Sequence, residues 1–349
     1  MGHVHGGPAK AGTYLLTEDL VDKIEPFHHD GILTPGHHSD VYAELQDRLA
    51  TALQNALPDG QIVRRQKMHK LATRVIGFID GEWADEDVLV VSTCPELTYP
   101  ARGESLQINR LVNSYGVEIG IGPRPGRPPL AYQFHALKKA AKGRRIVIAE
   151  DGVFSGNTMG FISNALDENE LELAGMVTGY YFSDKPNNTV VRDGVKFFVV
   201  HDEIDDLIDW VPDHDFLPFT PGCGLVLGTR IGGHVQPLYD HNGASFSVPY
   251  VAPFGKVSKW ASIPEGNVET FSKECMAIAR DLYVTLDKLN KKQRGPLTVS
   301  DVAHASSQRI SIPVQILPME GQEGHDPDRK IKLLPSEVGI VELLDSYLD

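Results

Sequence analysis

Arg144-Arg145-Ile146-Val147-Ile148-Ala149-Glu150-Asp151-Gly152-Val153-Phe154-Ser155-Gly156-Asn157-Thr158 is the stretch from which the fold is read. Residues 146–149 are apolar and mostly β-branched, the pattern of a strand buried on both faces. Two carboxylates, Glu150 and Asp151, follow where that strand is expected to end. A short polar loop comes next, and Met159, Ile162 and Leu166 then recur at helical spacing. In an open α/β sheet, ligands bind just beyond the carboxyl ends of the strands, which places the expected site at this loop.

The atoms of the loop suggest its chemistry. Gly156 allows backbone angles closed to other residues, so successive N–H groups can turn inward as an anion nest. Ser155 and Thr158 add hydroxyl donors, and the following helix presents its positive end. Glu150 and Asp151, one loop-length away, offer acceptors for sugar hydroxyls. A sugar phosphate suits this set better than a bare phosphate. The same residues also describe a capped strand-to-helix turn whose acidic pair faces water, and both readings stand at this point.

The segment resembles the PRPP-binding motif of type I phosphoribosyltransferases: an apolar strand, two acidic residues, and a Thr/Ser-Gly-x-Thr/Ser loop. Glu150 and Asp151 occupy the acidic pair, and Phe154, Ser155, Gly156, Asn157 and Thr158 the loop that would hold the 5′-phosphate. Phe154 stands where Thr is common, and Asn157 where Gly is common. A second stretch, Gly31 to Tyr42 in the chain, is similar to the N-terminal signature of orotate phosphoribosyltransferases. Gly31, Leu33, Gly36, Ser39 and Tyr42 keep its spacing, with Pro35 where Ser is usual. In that family this segment forms a hood over the base, with Gly36 and Ser39 at substrate-binding positions. The alternative for its four histidines, a metal site, is disfavoured because adjacent residues of an extended segment point apart.

The chain has 349 residues, enough for two domains or for one with a large extension. A net charge of −14 argues against extensive contact with a nucleic-acid backbone. Cys94, Cys223 and Cys275 are odd in number and far apart, which fits neither a zinc pattern nor a disulfide framework. A reducing, cytoplasmic setting is expected, with no membrane span and no signal-peptide core.

Elsewhere, Leu45, Leu49, Leu53 and Leu57 mark an amphipathic helix. Its start is open: periodicity extends it back to Val41, whereas the resemblance implies a strand over 38–42. Residues 62–80 read as an inserted hairpin ending in a strand at 75–79. Residues 87–91 are a buried strand running into Ser92 and Thr93, where the family grips pyrophosphate, although its glycine-rich loop is missing here. Cys94 reads as a nucleophile or, lacking a local histidine, as a small buried residue. Residues 105–115 have helical spacing, and 117–121 form a strand. Arg124 and Arg127 follow in a proline-rich loop. They sit where the family has a mobile lid, and their forked guanidinium groups suit a departing pyrophosphate as well as a solvated surface. Residues 202–210 read as a short acidic helix, and Phe271 to Leu289 as the apolar face of a long one.

The expected fold is therefore α/β: a doubly wound, mainly parallel five-stranded sheet, with strands near 88, 117, 146, 174 and 196. Residues 1–30 form a tail and short helix, 31–212 a phosphoribosyltransferase-like core with its hood, and 213–349 a C-terminal α+β extension. The resemblance implies transfer of ribose 5-phosphate from PRPP to a nitrogenous base, Mg²⁺ carried on the pyrophosphate, and a homodimer. Glu150, Asp151, Arg124 and Arg127 would be catalytic. Ser92, Thr93 and the 154–158 loop would bind substrate. A regulatory PRPP- or nucleotide-binding protein of the same fold, or an enzyme removing a base from a nucleotide, are the other readings.

Overall fold

The computed structural model describes residues 12–27, 39–94, 97, 103–113, 116–125, 127–182, 195–204, 206–232, 234–239, 245–291, 295–305, 310–311 and 334–349. Its centre is a five-stranded sheet in the order Gly103–Ser105, Val88–Ser92, Arg145–Val153, Leu173–Tyr181, Lys196–Glu203, with every neighbouring pair parallel. Ile146, Val147, Ile148 and Ala149 are at most 1% exposed, as a strand covered on both faces requires. Met68–Glu82 covers one face through Leu71, Val75 and Ile79, with Trp83 just beyond its end. Leu130–Ala141 and Asn157–Glu168 cover the other through Phe134, Leu137, Ile162 and Leu166. The protein is thus α/β, as expected.

Chain order reverses between Val88–Ser92 and Arg145–Val153. From the first strand the chain steps outward to Gly103–Ser105; from the second it proceeds in the opposite direction. Such a reversal splays the loops apart and leaves a crevice at the carboxyl ends of the two strands.

Two further sheets flank this end. Leu207–Pro212, Gly12–Glu18 and Gln61–Lys67 pair in parallel. A mixed sheet runs Ile310–Ser311, Ser245–Val248, Leu225–Ile231, Ile108–Val112, Glu118–Pro123, with His234–Pro237 paired beside Leu225–Ile231.

Several expectations are corrected. The strand expected near 117 is Glu118–Pro123, but it lies antiparallel on Ile108–Val112 in the mixed sheet. Its place in the parallel sheet is taken by the short Gly103–Ser105. Residues 108–112 are a strand and not a helix. Ile108, Leu111 and Val112 are buried, Leu111 and Val112 pair with strands on both sides, and a run this short does not separate the two periodicities. The 202–210 helix is likewise absent: Lys196–Glu203 and Leu207–Pro212 are strands, the latter paired with Gly12–Glu18.

The inserted hairpin of 62–80 is instead a strand followed by the helix Met68–Glu82. Its buried Met68, Leu71, Ala72, Val75 and Ile79 keep helical spacing, which outweighs the β-branched run at 75–76. The helix Ser39–Ala56 begins within the stretch that the resemblance made a strand. The C-terminal third does not pack by itself. Leu45, Leu49 and Leu53 share one core with Phe271, Cys275, Ile278, Leu282 and Tyr283 of the long helix Val268–Asn290.

Candidate functional site

The strand Arg145–Val153 runs four residues past the expected end, so Glu150 and Asp151 lie within it. Glu150 accepts a hydrogen bond from the Thr93 hydroxyl across the reversal point, and another from the Asp151 N–H at 3.2 Å. Asp151 Oδ1 accepts from the Gly152 N–H at 2.9 Å. Both carboxylates are half-buried and line one cleft. Gly152 is required by its neighbour: a Cβ there would stand 2.5 Å from Cζ3 of Trp210.

Gly156 caps the helix Asn157–Glu168 with φ of 77°, the left-handed conformation for which the sequence suggested glycine. Ser155 Oγ accepts from the Asn157 N–H at 3.4 Å, and buried Met159, Ile162 and Leu166 hold the helix against the sheet. The cleft, of about 470 Å³, brings together Glu150, Asp151, Thr93, Arg124 and all five residues from Phe154 to Thr158.

Other expected residues fall elsewhere. The Ser92 hydroxyl is buried and donates to the Cys94 carbonyl, and Ser92 lines an adjoining cavity of about 980 Å³. Arg127 lines that cavity too, exposed on the surface loop, while Arg124 borders both spaces. The buried Nε of Arg124 has no hydrogen-bond partner among the described residues. Gly36 lies outside the described residues, as does the side chain of Ser39, whose backbone opens a helix. Cys94 is 4% exposed, in keeping with the reading as a small buried residue.

No protein-family model matches this chain, and no curated protein matches it.

The cleft has a wall the sequence did not announce. Arg110, Asp209, His214, Asp215, Tyr250 and Trp260 all face it. Behind part of this wall lies a buried polar network. His214 Nδ1 is 2.7 Å from Asp19 Oδ1, and its Nε2 is 3.4 Å from Asp215 Oδ1. Asp213 accepts from the N–H groups of Asp19 and Leu20 at 3.0 and 2.9 Å, and from Gln46 Nε2 at 2.6 Å. The Gly224 N–H donates to Asp215 Oδ1 at 2.7 Å.

Burial opposes charge on each of these groups. For His214 the carboxylates of Asp19 and Asp215 outweigh that effect and raise its pKa above the ordinary value. For Asp19 the imidazolium and Lys23 win over burial and hold the carboxyl low. Burial wins at Asp215 and, with the charge of Asp19, at Asp213, raising both.

Ligand atoms of Asp19, Asp213 and His214 lie within 4.8 Å of one another, a set able to surround a cation. In the structure they bind one another. Asp213-His214-Asp215 was visible in the sequence as three titratable residues after a proline, but nothing there showed that Asp19, 194 positions from Asp213, completes the group. Among the described residues no helix is long and apolar enough to cross a membrane.

Proposed function

We propose that the protein is a phosphoribosyltransferase that moves ribose 5-phosphate from PRPP to a nitrogenous base and releases pyrophosphate. The observation carrying this reading is that the Gly156-capped turn, the Glu150–Asp151 pair and Arg124 line a single cleft at the point where strand order reverses. The turn and the N-terminus of its helix suit the 5′-phosphate. The two carboxylates suit the ribose hydroxyls. Arg124, whose buried Nε has no partner among the described residues, and Arg127 beside it suit the oxygens of the leaving group.

The transition state of such a transfer resembles an oxocarbenium ion, and these residues act by positioning and by electrostatics. Glu150 and Asp151 also present hard oxygens of the kind Mg²⁺ prefers, and the ion, carried mainly on pyrophosphate and water, would neutralise leaving-group charge.

One observation favours a second reading, a PRPP- or nucleotide-binding protein without catalysis. The Ser92 and Thr93 hydroxyls, at the family's pyrophosphate loop, are both engaged within the protein, by the Cys94 carbonyl and by Glu150. Incubation with PRPP, Mg²⁺ and a panel of bases separates the two: pyrophosphate release supports transfer, whereas calorimetric binding of PRPP without release supports the sensor. No binding of PRPP overturns both.

A further inference from the structure

Side chains that the phosphate and ribose contacts do not use form another part of the cleft. Arg110 lies in the strand Ile108–Val112, Tyr250 follows Ser245–Val248, and Trp260 ends the short helix Val257–Trp260. Arg110 is exposed to the cleft, yet its guanidinium makes one side-chain hydrogen bond among the described residues, to the Tyr250 hydroxyl at 3.2 Å. No carboxylate pairs with it there, although Glu118, Asp209 and Asp215 lie close enough to favour its charge. A guanidinium carries five donors in a fixed fork, so most of its hydrogen-bonding capacity is left to the cleft.

Tyr250 is 4% exposed. Its oxygen accepts from Arg110, and its own proton has no acceptor among the described residues. Burial pushes this phenol well above its ordinary pKa, which keeps the O–H in place as a donor. Within the cleft a single acceptor group can meet the Tyr250 O–H and the free arms of the guanidinium together. Trp260 supplies a flat wall next to them, its ring centre 5.8 Å from the Arg110 guanidinium carbon. Lys259 Nζ is 5.3 Å from the same ring centre, on an exposed and flexible stem that a stacking ligand can displace.

We infer that Arg110, Tyr250 and Trp260 form the acceptor subsite, and that its ligand is a flat heteroaromatic ring with two adjacent hydrogen-bond acceptors on its rim. The inference rests on the phosphoribosyl-transfer reading for the ligand in the remainder of the cleft. The ring lies against the indole, its paired acceptors meet the guanidinium fork, and the Tyr250 O–H donates to one of them. An amino group at that rim sets donor against donor, which is how the subsite discriminates. Asp209 also lines the cleft, its oxygens accepting from Ser262 Oγ at 2.7 Å and from the Trp210 N–H at 2.8 Å.

The test is titration of the full-length protein with hypoxanthine, orotate and adenine, with and without saturating PRPP, followed by calorimetry and tryptophan fluorescence. Hypoxanthine and orotate each carry a pair of adjacent acceptors, and adenine carries an amino group where hypoxanthine has its oxygen. At least one of the first two is expected to bind about tenfold tighter than adenine. Arg110→Lys, which keeps the charge but removes the fork, is expected to weaken that ring about tenfold and to leave PRPP affinity within about twofold. Trp260→Phe is expected to weaken the ring and shift the fluorescence response.

Adenine binding as tightly as both others, or neither of the others binding, overturns the subsite without recourse to any variant. PRPP binding together with unchanged ring affinity in Arg110→Lys overturns the subsite and leaves the transfer reading standing. Arg110-dependent ring binding without any PRPP binding does the reverse.

Discussion

Trp210 presses on the backbone of the acidic strand at Gly152, and its indole nitrogen lies 3.3 Å from Thr17 Oγ1. A methyl group at Gly152 has to displace a ring held on several sides, so Gly152→Ala is expected to destabilise the protein by about 1–3 kcal/mol. Urea unfolding midpoints measure this. A paired change in the neighbouring carboxylates behaves differently. Glu150→Gln with Asp151→Asn retains shape and is expected to abolish calorimetric PRPP binding while the unfolding midpoint moves little. Unchanged PRPP affinity in that double variant counts against the proposed function.

His214 supplies a pH dependence. Its folded pKa lies above the unfolded value of about 6.5, so the imidazolium's contribution is complete below that pH and is lost as pH rises through the folded value. Asp19, Asp215 and Lys23 are the charged groups that set it. Stability is expected to fall from pH 6.5 upward in the native protein, with a shallower slope in His214→Gln. Denaturation midpoints across that range provide the comparison.

At the scale of elements, the helix Met68–Glu82 links Gln61–Lys67 of one sheet to Val88–Ser92 of another and covers a face of the five-stranded parallel sheet. Leu71 is fully buried within it, and Leu71→Ala is expected to cost about 2–5 kcal/mol in chemical denaturation. The apolar strand and glycine-capped turn at 146–158 were legible in sequence, because burial on both faces and a left-handed cap each leave a local residue pattern. Residues 75–79 misled because Val75, Ile76 and Ile79 carry β-branched character on a helix whose inward face is fixed by tertiary packing. Residues 108–112 misled in the opposite sense, and Arg110 was lost with them. Read on a helix, it had no reason to face a cleft. Its role depends on Tyr250 and Trp260, more than a hundred residues away in the chain, and no local pattern carries that distance.

For the whole molecule, the joint core of the N-terminal helix Ser39–Ala56 and the C-terminal helix Val268–Asn290 sets how the chain behaves as a unit. Leu49 and Leu282 are both fully buried in it. A chain ended at residue 212 loses the partners of Leu45, Leu49 and Leu53 and exposes them as an apolar stripe. Such a truncation is expected to aggregate or bind hydrophobic dye, and a soluble fragment with native PRPP affinity would contradict the shared core.

The reversal of strand order has one more consequence. Leaving the parallel sheet after residue 105 and rejoining it at 145, the chain builds Ile108–Val112 and Glu118–Pro123 into a different sheet, and these bring Arg110 and Arg124 to face the carboxylates. A molecule gripped by both sides adds a second tie between layers that already share Ile108 and Ile121 in one apolar cluster with the parallel sheet, so occupancy becomes mechanical reinforcement. At a ligand concentration a hundred times its dissociation constant the gain is about 2.7 kcal/mol, enough for thermal melting to rank candidate ligands before any chemistry is assayed.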